Sequence, residues 1–194
     1  GRINQFEDLE AWHPPSEWDV SGAGDPSIQG FATDISVNRG GTIGFKVSTD
    51  AAQFEIRIYR LGWYGGDGAR LVATIGPLAG AVQAVPPPDP TTGLVDCGAW
   101  AQSAAWAVPG GAVSGIYLAR LVRLDTQGAS HVVFVVRDDA STSDLLFKTS
   151  DATWQAYNVF GGNSLYVGTT SYPGGHATHV SYNRPFVTRA GGGG

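Results

Sequence analysis

The 194-residue sequence contains no methionine, one cysteine (Cys97), two lysines and no glutamate beyond Glu55. Each shortage excludes something. A chain without methionine cannot begin at its own initiator, so it is read as a processed or truncated piece whose targeting segment, if any, is missing. One cysteine rules out an internal disulfide and decides nothing about compartment. Charged residues make up 15% of the chain, and the net charge is −5. The twelve basic residues are scattered rather than clustered. Without a concentrated basic face to neutralise phosphates, neither nucleic acid nor an anionic membrane surface is an expected partner. No apolar run approaches the ~20 residues that span a bilayer. No Gly-x-Ser-x-Gly elbow and no phosphate-binding glycine loop occurs.

What is present is apolar and turn-rich: 42% hydrophobic residues, 28 glycines and 11 prolines. That balance favours short strands and turns over long helices. Strands are expected at Phe31 to Val37 and Thr42 to Ser48, joined by a hairpin at Asn38-Arg39-Gly40-Gly41. Further strands are expected at Phe54 to Leu61, Arg70 to Ile75, Ala104 to Val108, Gly115 to Leu124 and Ser130 to Arg137. The near-continuous apolar run from His131 to Val136 suits a central strand buried on both faces. Residues 76–95, with Pro86-Pro87-Pro88-Asp89-Pro90, read as an extended surface connection. The fold expected is mainly β, an antiparallel sandwich of the immunoglobulin or fibronectin kind over residues 25–138. Residues 1–24 read as an irregular N-terminal segment. After the polar boundary at Asp138–Asp144, residues 139–194 read as the truncated start of an α/β domain. Its strand candidates are Leu145-Leu146-Phe147 and Val180 to Val187, and it ends in the tract Gly191–Gly194.

The most distinctive stretch is Ile58-Tyr59-Arg60-Leu61-Gly62-Trp63-Tyr64-Gly65-Gly66-Asp67-Gly68-Ala69-Arg70. An alternating strand runs into two aromatics and four glycines within seven residues, which predicts a hairpin tip crowned by Trp63 and Tyr64 and flanked by Asp67 and Arg70. Such aromatics either dock on a neighbouring domain or stack on a ligand such as a sugar.

This stretch resembles bacterial proteins related to the large (beta) subunit of N,N-dimethylformamidase, in their N-terminal region. Four further segments resemble the same family in the same order: Gly24–Thr33, Asp96–Trp100, Ser150–Asn158 and Val180–Phe186. The resemblance implies a sandwich supporting a hydrolase domain that cleaves amide C–N bonds in a small amide. It also implies a mononuclear iron held by two tyrosines and a glutamate. On this chain Tyr157 matches the first tyrosine, and the second is Tyr166 or Tyr182. Because no glutamate follows Glu55, the carboxylate ligand is expected outside the chain, the missing C-terminal domain is the expected partner, and the piece alone is expected to be inactive. Cytoplasmic and extracytoplasmic locations both stay open. The alternative reading is a non-catalytic carbohydrate- or surface-binding module working through Trp63 and Tyr64.

Other constellations have plainer readings. The second segment's aromatics (Trp154, Tyr157, Phe160, Tyr166, Tyr172, Tyr182) can simply pack with their polar tips at the edge. His176 and His179 lie in a glycine-bounded loop and point to opposite faces if extended. Cys97 could be a nucleophile with His131 as base, although a buried cysteine usually behaves as a small apolar group. Asp138, Asp139, Asp144 and Asp151 are loop carboxylates of the type that bind calcium, without an EF-hand pattern.

Overall fold

Period-two alternation places one set of side chains on each face of every strand. In strand β4 (Gln53–Leu61) that set is Phe54, Ile56 and Ile58, all fully buried. In β7 (Gly115–Arg123) it is Tyr117, Ala119 and Leu121, and in β8 (Ala129–Arg137) it is Val132, Phe134 and Val136. The computed structural model, which describes residues 12–168 and 173–187, brings these three strands side by side. With β2 (Ser36–Asn38) and β5 (Ala69–Ala79) they form a five-stranded sheet in the order β2-β8-β7-β4-β5. A three-stranded sheet, β1 (Ile28–Ala32), β3 (Thr42–Thr49) and β6 (Ala104–Ala107), lies in the order β1-β3-β6.

Ile28, Ile43, Phe45, Val47 and Trp106 of the smaller sheet close the core against the larger one. Phe134 is its hub: its ring meets those of Phe45, Trp106 and Tyr117 at centroid separations of 5.8, 6.1 and 5.7 Å. Gly30 lets the sheets approach, since a Cβ there would stand 2.6 Å from the Lys46 carbonyl and 3.0 Å from Leu121. The architecture is therefore mainly β, two sheets packed as a sandwich.

Two expectations about connectivity change. The predicted strand Phe31 to Val37 is two strands. Thr33 donates its N–H to the Gly44 carbonyl (2.9 Å) and accepts the Gly44 N–H on its hydroxyl (3.1 Å), and the chain bends there. It then crosses to the other sheet, where β2 pairs in parallel with β8. The sandwich is thus not wholly antiparallel. The Asn38–Gly41 turn forms, with Gly41 N–H on the Asn38 carbonyl, but it links strands of different sheets rather than a hairpin. The Gly115–Arg137 and Gln53–Ala79 hairpins do form. The second runs on through Pro77 to Ala79, so part of the proline-rich connection is strand.

Beyond Arg137 the departures are larger. Leu145, Leu146 and Phe147 form no strand and are 90, 94 and 77% exposed. Residues 180–187 form no strand either; they bend around the buried Arg184. Asp151–Tyr157 is a seven-residue helix that periodicity did not reveal, being shorter than the window over which an apolar stripe can be read. Among the described residues no helix is long and apolar enough to cross a membrane. Tyr172 and the Gly191–Gly194 tract lie outside the described residues.

Truncating the hub tests the core. Phe134→Ala should cost about 3–5 kcal/mol, through lost burial and the cavity left behind. Urea unfolding followed by tryptophan fluorescence measures it; a loss below about 1 kcal/mol is inconsistent with this packing.

Candidate functional site

The hairpin tip is clamped from within the chain. Trp63 is 80% exposed, whereas Tyr64 is only 3% exposed. Tyr64 adopts a left-handed φ of 40° and folds its ring back over Gly62. Arg60 Nη1 donates to its hydroxyl at 2.6 Å. Only one of the two predicted crowning aromatics therefore faces outward. The N-terminal segment supplies the clamp. Trp18, at the end of the short helix Pro15–Trp18, donates its indole N–H to the Asp67 carbonyl at 2.9 Å. His13 bridges to Ala69 and accepts the Leu71 N–H on Nδ1 at 3.2 Å. Trp12 lies on Gly65, where φ is +65° and any Cβ would meet the indole at 2.5 Å. Arg70 lies opposite Arg60 on β5.

Past the sandwich, two buried polar side chains organise the chain. Arg184 is almost wholly buried, and among the described residues its guanidinium has no carboxylate partner. Instead it donates to four backbone carbonyls: Ser181 (3.2 Å), Phe160 (3.1 Å), Asn163 (3.0 Å) and Gln155 (3.0 Å). Burial pulls its pKa down to about 10. Asn158, fully buried, donates to the Gln155 side chain (3.2 Å) and the Pro185 carbonyl (2.9 Å). Its own oxygen accepts the N–H groups of Phe160 (3.3 Å) and Val187 (3.1 Å). A planar five-donor fork and a carboxamide with donors and acceptor are the two side chains able to satisfy so many backbone groups at once. Together they join the Asp151–Tyr157 helix to residues 181–187.

That unit docks on the sandwich through the segment 96–100. Cys97 N–H donates to the Asn183 carbonyl at 2.7 Å, and Ser181 Oγ donates to Asp96 at 2.7 Å. Burial would raise the Asp96 pKa, but hydrogen bonds from Ser181, Gly98 and Asn183 outweigh it and leave it lowered. Cys97 sits in a second apolar cluster with Phe31, Val95, Trp100 and Phe160. Burial, reinforced by Asp96, pushes its thiol up to about 11. A thiol so protonated is a poor nucleophile, and the charged groups acting on it are Asp96 and Arg184, not His131. His131 lies on β8 with Nε2 2.6 Å from the Trp18 carbonyl.

The three candidate tyrosines separate into a pair and a single. Tyr157, closing the helix, and Tyr166 stack with ring centroids 4.3 Å apart and planes 14° apart. Both are exposed, and neither hydroxyl has a hydrogen-bond partner among the described residues. Tyr182 sits at the other end of the helix, where its hydroxyl donates to Asp151 at 2.8 Å. Six residues of helix put Asp151 about 9 Å from Tyr157 along the axis. Burial and the Asp151 carboxylate raise the Tyr182 pKa to about 12. Thr149 also donates to Asp151 (2.8 Å). Burial works against ionisation of Asp151, but the bonds from Thr149 and Tyr182 win and lower its pKa. Phenol oxygens are hard donors of the kind suited to ferric iron.

The remaining candidates are dispersed. Asp138 pairs with Arg39 at 3.0 Å and Asp139 with Arg137 at 3.0 Å. His176 Nδ1 lies 2.9 Å from the Ala177 carbonyl, and His179 Nδ1 lies 3.0 Å from the Thr178 hydroxyl. No group of three His, Cys, Asp or Glu side chains among the described residues is arranged to hold a metal.

Replacing the buried fork should loosen one part of the chain and spare the other. In Arg184→Met, hydrogen exchange at residues 155–163 should accelerate at least tenfold while β4, β7 and β8 keep their protection, because the four carbonyls lose their donors. Uniform destabilisation of both regions would contradict this division. Cys97 provides a second readout: in the wild type, alkylation should be slow at pH 8, well below its raised pKa of about 11, and should speed up in Arg184→Met.

Three solved structures show only distant likeness. An alpha-2-macroglobulin mutant from Salmonella aligns at 14% identity and a TM-score of 0.37, over 67% of this chain and 8% of that one. An alkylpurine DNA glycosylase from Pseudomonas fluorescens, bound to DNA containing an abasic site analog, aligns at 11% identity and 0.32, over 60% and 32%. A cellulose-active LPMO in complex with copper aligns at 21% identity and 0.33, over 54% and 52%. The chain thus spans 8, 32 and 52% of these proteins. No curated protein matches it. Residues 55–194 match the family described as N,N-dimethylformamidase beta subunit-like, C-terminal. The match begins inside β4 and takes in the hairpin tip, the docking segment 96–100, the stacked tyrosines and Arg184, and the chain belongs to the N,N-dimethylformamidase beta subunit-like family.

Proposed function

We propose that this chain is the sandwich and the opening of a second, α/β domain of an N,N-dimethylformamidase-large-subunit-like amide hydrolase. The observation that carries the two-domain reading is Leu145-Leu146-Phe147. Three consecutive large apolar side chains stand almost fully in water, and among the described residues no backbone hydrogen bond reaches residues 144–149. An apolar run with open N–H and C=O groups is a sheet strand lacking its neighbours. On this reading its partners are strands of a further domain, and the Asp151–Tyr157 helix follows it as the first crossover.

The same reading gives the stacked tyrosines a role. Tyr157 and Tyr166 are exposed, stacked phenols whose hydroxyls have no hydrogen-bond partner among the described residues. In the whole protein they would be two protein ligands of an iron, with a carboxylate supplied from outside this chain. Such a group, when bound, polarises an amide carbonyl and makes water a better nucleophile. The helix and the loop held by Arg184 and Asn158 set the pair's spacing. Tyr182, engaged with Asp151 and raised to about 12, is the poorer candidate for a phenolate. The sandwich anchors this edge and takes no part in chemistry.

Metal analysis of the whole protein is the test. Tyr157→Phe and Tyr166→Phe should each lower bound iron at least tenfold, whereas Tyr182→Phe should retain it. Iron-free wild-type protein, or full retention in both variants, ends the reading. The 194-residue chain alone should show no amide turnover. Trp63 supports a second reading, since a fully presented indole at a loop tip can stack on a sugar face. Glycan binding that Trp63→Ala abolishes would favour a carbohydrate- or surface-binding module, with Tyr64 contributing to the tip's shape rather than to the contact.

A further inference from the structure

Among the described residues, the outer face of the five-stranded sheet carries a charge without an ion-pair partner. Arg57 on β4 and Arg120 on β7 are direct cross-strand neighbours, and His131 on β8 lies opposite Arg120 on its other side. Side chains directly opposite have Cβ atoms about 5 Å apart, and like charges there repel. Arg57 is neutralised: its Nε and Nη2 bond one oxygen of Glu55 at 2.6 and 2.5 Å. His131 is engaged with the Trp18 carbonyl. Tyr59, next along the same face, donates its hydroxyl to the Glu17 carbonyl at 3.3 Å.

Arg120 has nothing comparable. Its Nε is buried with no hydrogen-bond partner, and among the described residues its guanidinium makes no ion pair. Burial pulls its pKa down, and Arg57 adds to the effect; Tyr59 and Glu55 oppose it without bonding to it. A half-buried guanidinium costs free energy unless its donors are filled. Its fork geometry matches a planar or tetrahedral oxyanion bidentately.

From this geometry we infer that Arg120, flanked by Arg57, holds a small oxyanion, carboxylate or phosphate, on the outer face of the sheet. The inference is independent of the iron reading and involves none of its residues.

The test is thermal denaturation of the protein in phosphate, in acetate and in chloride at matched ionic strength, with affinities from titration. Wild type should be stabilised by phosphate or acetate beyond chloride, and whichever is stronger identifies the oxyanion. Arg120→Gln should erase that excess while melting, in chloride, at or above wild type, since the like-charge contact is gone. Arg39→Gln, which removes a distant arginine, should keep it. Glu55→Gln should tighten binding by releasing Arg57. Should Arg120→Gln fail to fold, Arg120→Lys keeps the charge but loses the fork and should weaken binding about tenfold. An oxyanion effect no larger than that of chloride, or one equal in wild type and the Arg120 variants, overturns the inference.

Discussion

A five-stranded sheet that buries apolar side chains on both faces must be covered twice. The inner face of this one meets the three-stranded sheet. Its outer face carries Tyr59, Leu118, Val122 and His131, all buried, beside Glu55, Arg57 and Arg120, and among the described residues no second sheet lies there. The two ends of the described chain do the covering. Residues 12–24 cross it from one side, fixed by Trp18 at the hairpin tip and at β8. Phe186, from the segment held by Arg184, joins Trp18, Val20, Leu118 and Val133 around a shared cavity of about 270 Å³. Removing either cover would expose apolar side chains of this face, Leu118 and Val133 among them, so both ends belong to the fold rather than decorate it.

The sandwich strands were legible because alternation is a local signal. The cores of β3, β4, β7 and β8 fall within a residue or two of where periodicity puts them. The sheet to which β2 belongs was not legible. Asn38–Gly41 has hairpin chemistry, and only the long-range choice of β8 as neighbour makes it a crossover. The covering role of Trp12, His13 and Trp18 was equally hidden, since an irregular polar segment shows no period. Their signal was two indoles and an imidazole in a stretch with little other reason to hold them.

The candidate site was half legible. The family could be recognised from Ile58–Arg70 and its companion segments, and residues 55–194 match it. The resemblance also singled out the segments containing Tyr157 and Arg184, but it could not say that Arg184 and Asn158 hold those segments together. Nor could spacing choose between Tyr166 and Tyr182: one lies nine residues from Tyr157 and the other twenty-five, and the stack depends on how the chain turns between them. Buried polar side chains bonded to backbone carbonyls leave no mark in composition. They become visible only when the question is which donors satisfy each turn.

That choice of partners has a chemical corollary. The clamp on residues 155–184 sets a permanent cation against peptide dipoles, and a carboxamide against peptide groups; neither contains a group that takes up a proton in mild acid. Acidification that neutralises Asp151, and with it the bond Tyr182 makes there, leaves the bonds of Arg184 and Asn158 in place. The bonds that tie the phenol-bearing helix to its loop through these two side chains therefore do not depend on the acidity of their surroundings.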